Sequence, residues 1–127
     1  MNLEKVVFGF FILLALTLNL AFVVGDIDNP DHHEIWILFA AIIVNLIATG
    51  LKLGDRSYIG AVLLSTSLVA DLQLLIAASV WTYADYGLHS EMIPAVMVNI
   101  VSLAAGALFA NLVSVVMLVS DTLISRR

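Results

Sequence analysis

Four long apolar runs constrain this sequence more than any other feature. Short polar connections separate the runs, which lie at residues 6–24, 35–53, 58–81 and 93–120. An α-helix needs roughly 20 residues to cross a hydrocarbon layer about 30 Å thick, and each run is long enough. We therefore expect an all-α integral membrane protein with a single four-helix domain spanning residues 1–127, and helices at about 3–25, 30–53, 57–84 and 91–122.

The composition agrees with a membrane protein. Hydrophobic residues make up 62% of the chain and charged residues only 12%, with a mean hydropathy of +1.10. About a quarter of the residues in an average soluble domain are charged. There is no cysteine, which excludes disulfides and thiolate metal sites. The flank MNLEK is only weakly basic and no small-x-small cleavage site precedes Gly25, so we expect the first run to be retained as a helix.

The basic residues predict the orientation of the bundle. Lys5 precedes the first run, Lys52 and Arg56 lie in the second connection, and Arg126 and Arg127 end the chain. The other two connections, GDIDNPDHHE and TYADYGLHSE, contain acids and neither Lys nor Arg. The positive-inside rule then places both termini in the cytoplasm, and short connections favour an antiparallel bundle. The small size and the charge asymmetry favour a bacterial inner membrane.

The two halves of the chain show a weak internal similarity. A shift of 54 residues places Asn45 on Asn99 and Asp31 on Asp85. This pattern is compatible with two tandem helical hairpins related by an axis along the membrane normal. In a sequence so rich in Leu, Ala and Val, chance similarity remains the open alternative.

Each predicted helix contains a strongly polar side chain within its apolar run. Asp71 and Asn45 fall near the predicted midplane, where a charged group costs at least about 2.5–3.5 kcal/mol. Such a group faces the bundle interior or a wet cavity, which makes it a functional candidate. We expect Asp71 to be the midplane site of a cation or proton pathway, with Asn45 and Ser67 beside it and Asn19 and Asn99 lining the outer approach.

No Lys or Arg lies in the membrane core of any of the four runs, so Asp71 has no salt-bridge partner there. Asn45, Ser67, Thr17 and Thr49 are the candidate hydrogen-bond partners at similar depth. The carboxyl group is then either protonated, or ionised beside a cation or water. The simpler alternative is a protonated Asp71 that bonds Asn45 and only holds helices together.

Small residues recur every four positions along the fourth run. A small-xxx-small stripe lets another helix approach closely, either within one chain or between copies. The stripe predicts a helix-packing interface at Ser102, Gly106, Ala110 and Ser114. A four-helix chain encloses little interior of its own, so we also expect a homo-oligomer.

The first connection is strongly acidic. Clustered acids raise the local concentration of cations, and the sequence therefore predicts a vestibule formed by Asp26, Asp28, Asp31 and Glu34. His32 and His33 are weak candidates for metal ligands. Adjacent residues diverge by about 100° on a helix, so both cannot easily hold one ion, and we expect no metal site.

Known catalytic motifs are absent from the sequence, including a P-loop, H-E-x-x-H and a nucleophile elbow. We therefore expect neither an enzyme nor a bound cofactor, and no nucleic-acid partner. The expected partners are the lipid bilayer, further copies of the chain and cations. A competing hypothesis is an accessory or scaffold subunit of a larger membrane complex, in which the polar residues and the stripe serve helix packing.

Overall fold

The computed structural model describes residues 3–87 and 93–125. Within those ranges it is all-helical and contains no strand, and its four long helices are long and apolar enough to span a membrane, as predicted. The elements are α1 (Leu3–Val23), a 3₁₀ turn (Pro30–His32), α2 (Ile35–Lys52), α3 (Tyr58–Thr82), a π-helical turn (Tyr83–Gly87) and α4 (Pro94–Ser125). The predicted start of the fourth helix near residue 91 lies outside the described residues.

The second helix begins later than the predicted Pro30. Asn29 caps a single 3₁₀ turn by accepting a hydrogen bond from the Asp31 amide at 3.0 Å. His33 and Glu34 are then extended, and α2 starts at Ile35. The break has a physical reason, because the His33 ring turns inward to the backbone carbonyls of Phe22, in α1, and Asp26, in the first connection.

The connection between α2 and α3 is fixed by its own hydrogen bonds. Gly54 adopts φ 88°, a conformation that residues with a side chain rarely adopt. The Asp55 carboxylate then accepts hydrogen bonds from the Ser57 amide at 2.9 Å and the Ser57 hydroxyl at 2.7 Å. Ser57 in turn caps α3 by accepting from the Gly60 amide at 3.0 Å. These bonds set the point at which α3 begins.

The helices form a ring in chain order, since α1 and α3 each pack against α2 and α4. Two separate apolar clusters fill its interior. One is built around Phe22, Leu38 and Leu74, and the other around Phe8 and Leu63. Between the clusters lies a layer of buried polar side chains from α2, α3 and α4, at Asn45, Thr49, Ser67, Asp71 and Asn111.

The small-residue stripe on α4 mostly faces α3 of the same chain. A side chain placed at Gly106 would begin 2.6 Å from Nε2 of Gln73 on α3. Ala110 is buried, and the Ser114 hydroxyl hydrogen-bonds that of Thr66 on α3. Ser102, the first member of the stripe, is exposed. Gly106 and Ser114 thus lie at a contact between α4 and α3, and Ala110 is buried within the bundle.

We expect Gly106→Leu to destabilise the bundle, because its side chain would displace Gln73 from the contact between α3 and α4. Overpacking costs about 1–3 kcal/mol, and we expect the lower end of that range because the overlapped atoms are the amide end of the flexible Gln73 side chain. Gly50→Leu is the matched control, since nothing lies within 4 Å of a Cβ atom at this exposed helical glycine. Thermal unfolding in detergent, followed by circular dichroism, compares the two variants. Equal melting temperatures would contradict the close contact at Gly106.

Candidate functional site

Asp71 lies in the middle of α3 and faces the bundle interior. Residues three and four positions apart share a helix face, and Ser67, Asp71 and Leu74 are all buried. Leu75, one turn beyond Asp71, is instead 44% exposed. The buried face of α3 therefore includes Asp71 but turns away from Leu75.

Two side chains of α2 hydrogen-bond the Asp71 carboxyl group. Asn45 Nδ2 lies 2.9 Å from Oδ1, and Thr49 Oγ1 lies 2.5 Å from Oδ2. Asn111 of α4 extends the arrangement by donating from Nδ2 to Asn45 Oδ1 at 2.7 Å. These four residues, which we call the Asp71 network, join three helices. The bond between Asn45 and Asn111 crosses the centre of the ring, because α2 and α4 occupy opposite positions in it.

The Thr49 hydroxyl has one proton and two oxygen neighbours. Besides Asp71 Oδ2, it lies 3.0 Å from the backbone oxygen of Asn45. A hydroxyl donates one hydrogen bond and accepts others. If Asp71 is ionised, Thr49 donates to its carboxylate. If Asp71 is protonated, its O–H donates to Thr49, and Thr49 donates to the Asn45 oxygen. The same positions of the heavy atoms therefore satisfy both protonation states.

Two buried oxygens in the polar layer have no hydrogen-bond partner among the described residues. They are Ser67 Oγ and Asn111 Oδ1. Such an atom costs about 1–3 kcal/mol when it stays unpaired. Each of these oxygens can accept a hydrogen bond. The polar layer therefore contains acceptor atoms beyond those that the hydrogen bonds of the Asp71 network occupy.

The two predicted outer residues lie apart from the network. Asn19 is buried on α1, with its amide oriented to donate to Ala104 O at 2.9 Å and to accept from Leu108 N at 3.1 Å. It thereby attaches α1 to the backbone of α4. Asn99 is exposed on the outside of the bundle. Of the five predicted pathway residues, the structure thus brings together Asp71, Asn45 and Ser67.

The backbone of the acidic first connection is fixed by hydrogen bonds with His32 and His33. Asp26, Asp28, Asp31 and Glu34 are all exposed. His33 is buried, with Nδ1 at 2.6 Å from Phe22 O and Nε2 at 2.7 Å from Asp26 O. His32 Nδ1 accepts from the Asp26 amide at 2.8 Å. Both rings are therefore engaged by the backbone, and within residues 3–87 and 93–125 no group of three His, Asp or Glu side chains could hold a metal ion.

The sequence did not indicate the hydrogen-bonding roles of His33 and Asn111. The partners of His33 are backbone carbonyls, and these leave no signal in a sequence pattern. Asn111 lies within the fourth apolar run, where the sequence does not show which helix its side chain faces. Its spacing from Asn45 depends on the tilt of α4, which the sequence does not specify.

A family model matches residues 32–122, from the first connection to the last turns of α4. The chain belongs to the DUF6394 family. The description of DUF6394 is a family of unknown function, and its matched range contains the whole Asp71 network and excludes α1. No curated protein and no solved structure matches the chain.

For this DUF6394 member we expect Asn45→Ala to be the most destabilising single change in the network, because Asn45 bonds both Asp71 and Asn111. The expected loss is about 1–3 kcal/mol for polar groups left unpaired in the interior. Asn99→Ala is the control at an exposed position and should change little. A double-mutant cycle of Asn45→Ala with Asn111→Ala, measured by unfolding in mixed micelles, should give a coupling energy of about 0.6–1.7 kcal/mol. A coupling energy of zero would mean that the cross-bundle bond contributes nothing.

Proposed function

We propose that this protein forms a proton pathway through a membrane, with Asp71 as the residue that binds and releases the proton. The observation that carries the proposal is the position of the Thr49 hydroxyl between Asp71 Oδ2 and the Asn45 backbone oxygen. It gives Asp71 a complete set of hydrogen bonds in both charge states without movement of the heavy atoms. A site with this property can gain and lose a proton with little reorganisation.

Proton transfer at Asp71 takes two steps. A hydronium ion gives its proton to the Asp71 carboxylate and leaves as water, and the carboxyl group then returns the proton to a second water molecule. The Thr49 hydroxyl reverses the direction of its hydrogen bond in each step. No redox partner or cofactor is needed.

The donors around Asp71 favour a proton over a metal cation. Asn45 directs an N–H group at Oδ1, and the positive end of that dipole repels a metal ion at the same oxygen. Hard cations bind several oxygens at once. Here the amide occupies one carboxylate oxygen and the Thr49 hydroxyl the other. Sodium and potassium ions therefore remain less suitable substrates of the same pathway.

A shallow groove between α2 and α3 lies beside the site but opens on the outer surface of the bundle, where Leu75 is exposed. Its volume is about 530 Å³, and it is lined by Phe39, Ile42, Leu75, Ala78, Ser79, Thr82 and Tyr83. Leu75 follows Asp71 by one helical turn, and Ile42 precedes Asn45 by three residues. Near the other end of the groove, Trp81 packs against Phe22, whose carbonyl binds His33. The acidic vestibule therefore belongs to the same end of the bundle and would concentrate protons there.

We infer that the bundle is antiparallel, with both termini in the cytoplasm of a bacterium and the acidic connection outside. The distribution of Lys and Arg supports this orientation. Association of several copies is part of the proposal, because four helices enclose too little interior for a wide hydrated path.

A second candidate is an accessory or scaffold subunit in which the polar residues only fasten helices. The observation that favours it is that Asp71, Asn45 and Asn111 hydrogen-bond one another across three helices of one chain. In this role the charge of Asp71 would be irrelevant. An uncharged residue of the same shape would then preserve every property of the protein.

Proton uptake into liposomes containing the purified protein, with an internal pH dye, tests the proposal. We expect flux in wild type, a loss of about tenfold or more in Asp71→Asn, and a smaller loss in Thr49→Val, which keeps the branched shape but removes the hydroxyl. Thr49→Ser should restore the flux. Asn99→Ala is the control outside the network, and sodium and potassium fluxes are measured in parallel.

Each outcome separates the two candidates. If wild type conducts no more than empty liposomes while Asp71→Asn folds and assembles normally, the pathway fails and the accessory role is supported. If Asp71→Asn conducts as well as wild type, Asp71 is not the proton-binding residue.

The orientation has its own test, because the chain contains no cysteine and single cysteines can be introduced freely. In intact cells, we expect a membrane-impermeant maleimide to label Asp28→Cys and to leave Arg56→Cys unlabelled until the membrane is opened. The opposite pattern would reverse the orientation of the bundle. Labelling of both residues in intact cells would contradict the assignment of their connections to opposite sides.

A further inference from the structure

A charged cavity lies at the end of the bundle where α1 begins and α2 ends. Its volume is about 490 Å³. The first turn of α1 contributes Glu4 and Lys5 to its wall, and the end of α2 and the following connection contribute residues 51–56. The cavity therefore lies at the boundary between the apolar helices and a polar connection.

Every Lys and Arg among the described residues lines this cavity, namely Lys5, Lys52 and Arg56. The lining also includes two acids, Glu4 and Asp55. Hydrogen bonds from the Ser57 backbone and hydroxyl hold the pKa of Asp55 below its usual range, so that carboxylate stays ionised but is already engaged. Lys5 pairs with Asp121 of α4 at 3.8 Å, so Lys52 and Arg56 are the cations that the cavity offers to a ligand.

Lys52 is the unusual member of the lining. The residue is only 6% exposed, although lysine is almost never buried without a good partner. Its Nζ lies 4.4 Å from the centre of the Phe8 ring and 3.4 Å from Asp55 Oδ2. Charge-assisted hydrogen bonds are normally about 2.7–2.9 Å long, and an ammonium group has three donors. The buried ammonium therefore has donor capacity that Asp55 does not fill.

Exposed leucines lie in the lining of the cavity and next to it in the sequence. Leu53, a lining residue, is 66% exposed, and Leu3, beside Glu4, is 71% exposed. A ligand that fits both parts has an anionic oxygen-rich group for the cations and hydrocarbon for the leucines. Phosphate oxygens offer several acceptors to Lys and Arg at once. Basic pockets between helices at the membrane boundary are suited to lipid head groups.

We propose that this cavity binds a phosphate ester, the head group of an anionic phospholipid, with Lys52 and Arg56 as its principal contacts. The phosphate oxygens accept hydrogen bonds from the Lys52 ammonium and from the Arg56 guanidinium. The acyl chains lie against Leu3 and Leu53. This site uses none of the four residues of the Asp71 network, although Lys52 follows Thr49 by three residues on α2, and it does not depend on proton transport.

The test measures which lipids stay bound. The protein is reconstituted in an equal mixture of phosphatidylglycerol and phosphatidylcholine, extracted, and weighed intact by native mass spectrometry. Wild type should retain phosphatidylglycerol over phosphatidylcholine by about tenfold, a selectivity that surface charges alone rarely give. Lys52→Met, which keeps the apolar stem, and Arg56→Gln should each reduce that preference severalfold.

Two controls make the result decisive. Arg127→Gln removes the same charge from the end of the chain, and an equal loss of preference there would overturn the cavity in favour of diffuse attraction. Arg56 is exposed, so Arg56→Gln serves as the variant that folds normally even if Lys52→Met does not. Delipidated wild type is also titrated with inorganic phosphate. A rise in melting temperature equal to that produced by short-chain phosphatidylglycerol would overturn the assignment to a lipid.

Discussion

A carboxyl group in the middle of an apolar helix is the constraint on which the rest of this structure depends. Hydrocarbon offers Asp71 no hydrogen bonds, so the chain must supply them from its own side chains. Asn45 and Thr49 do so from α2, and Asn111 supports Asn45 from the opposite side of the ring. The relative rotation of three helices follows from these contacts. The apolar clusters on either side then complete the interior by packing alone.

The first helix is joined to the bundle in a different way. Its polar residue, Asn19, bonds the backbone of α4 and not a side chain of the network. The match to the DUF6394 family begins after α1 and includes all three helices of the network. The polar layer is thus formed by α2, α3 and α4. The first helix completes the ring of four helices without contributing a side chain to that layer. This division is consistent with a site that α1 covers and does not build.

The sequence predicted the four helices because length and hydropathy alone determine what can cross a bilayer. It also predicted the proximity of Asp71 and Asn45, since residues at equal depth in neighbouring helices can meet. It did not predict the faces of the helices. In a membrane, lipid-facing and core-facing positions are both apolar, so periodicity did not distinguish the exposed Asn99 from the buried Asn111. The start of α2 was wrong because His33 leaves the helix to bind carbonyl groups, a choice that local propensity does not record.

The ring of His33 joins the end of α1 to the first connection through two backbone carbonyls, at Phe22 and Asp26. Both ring nitrogens thus lie within hydrogen-bond distance of a backbone carbonyl oxygen. In many exported proteins a disulfide would close such a loop. This chain has no cysteine and holds the loop with histidine hydrogen bonds instead. Reductants and oxidants do not break such bonds. The first connection should therefore keep its shape when the redox state of its surroundings changes.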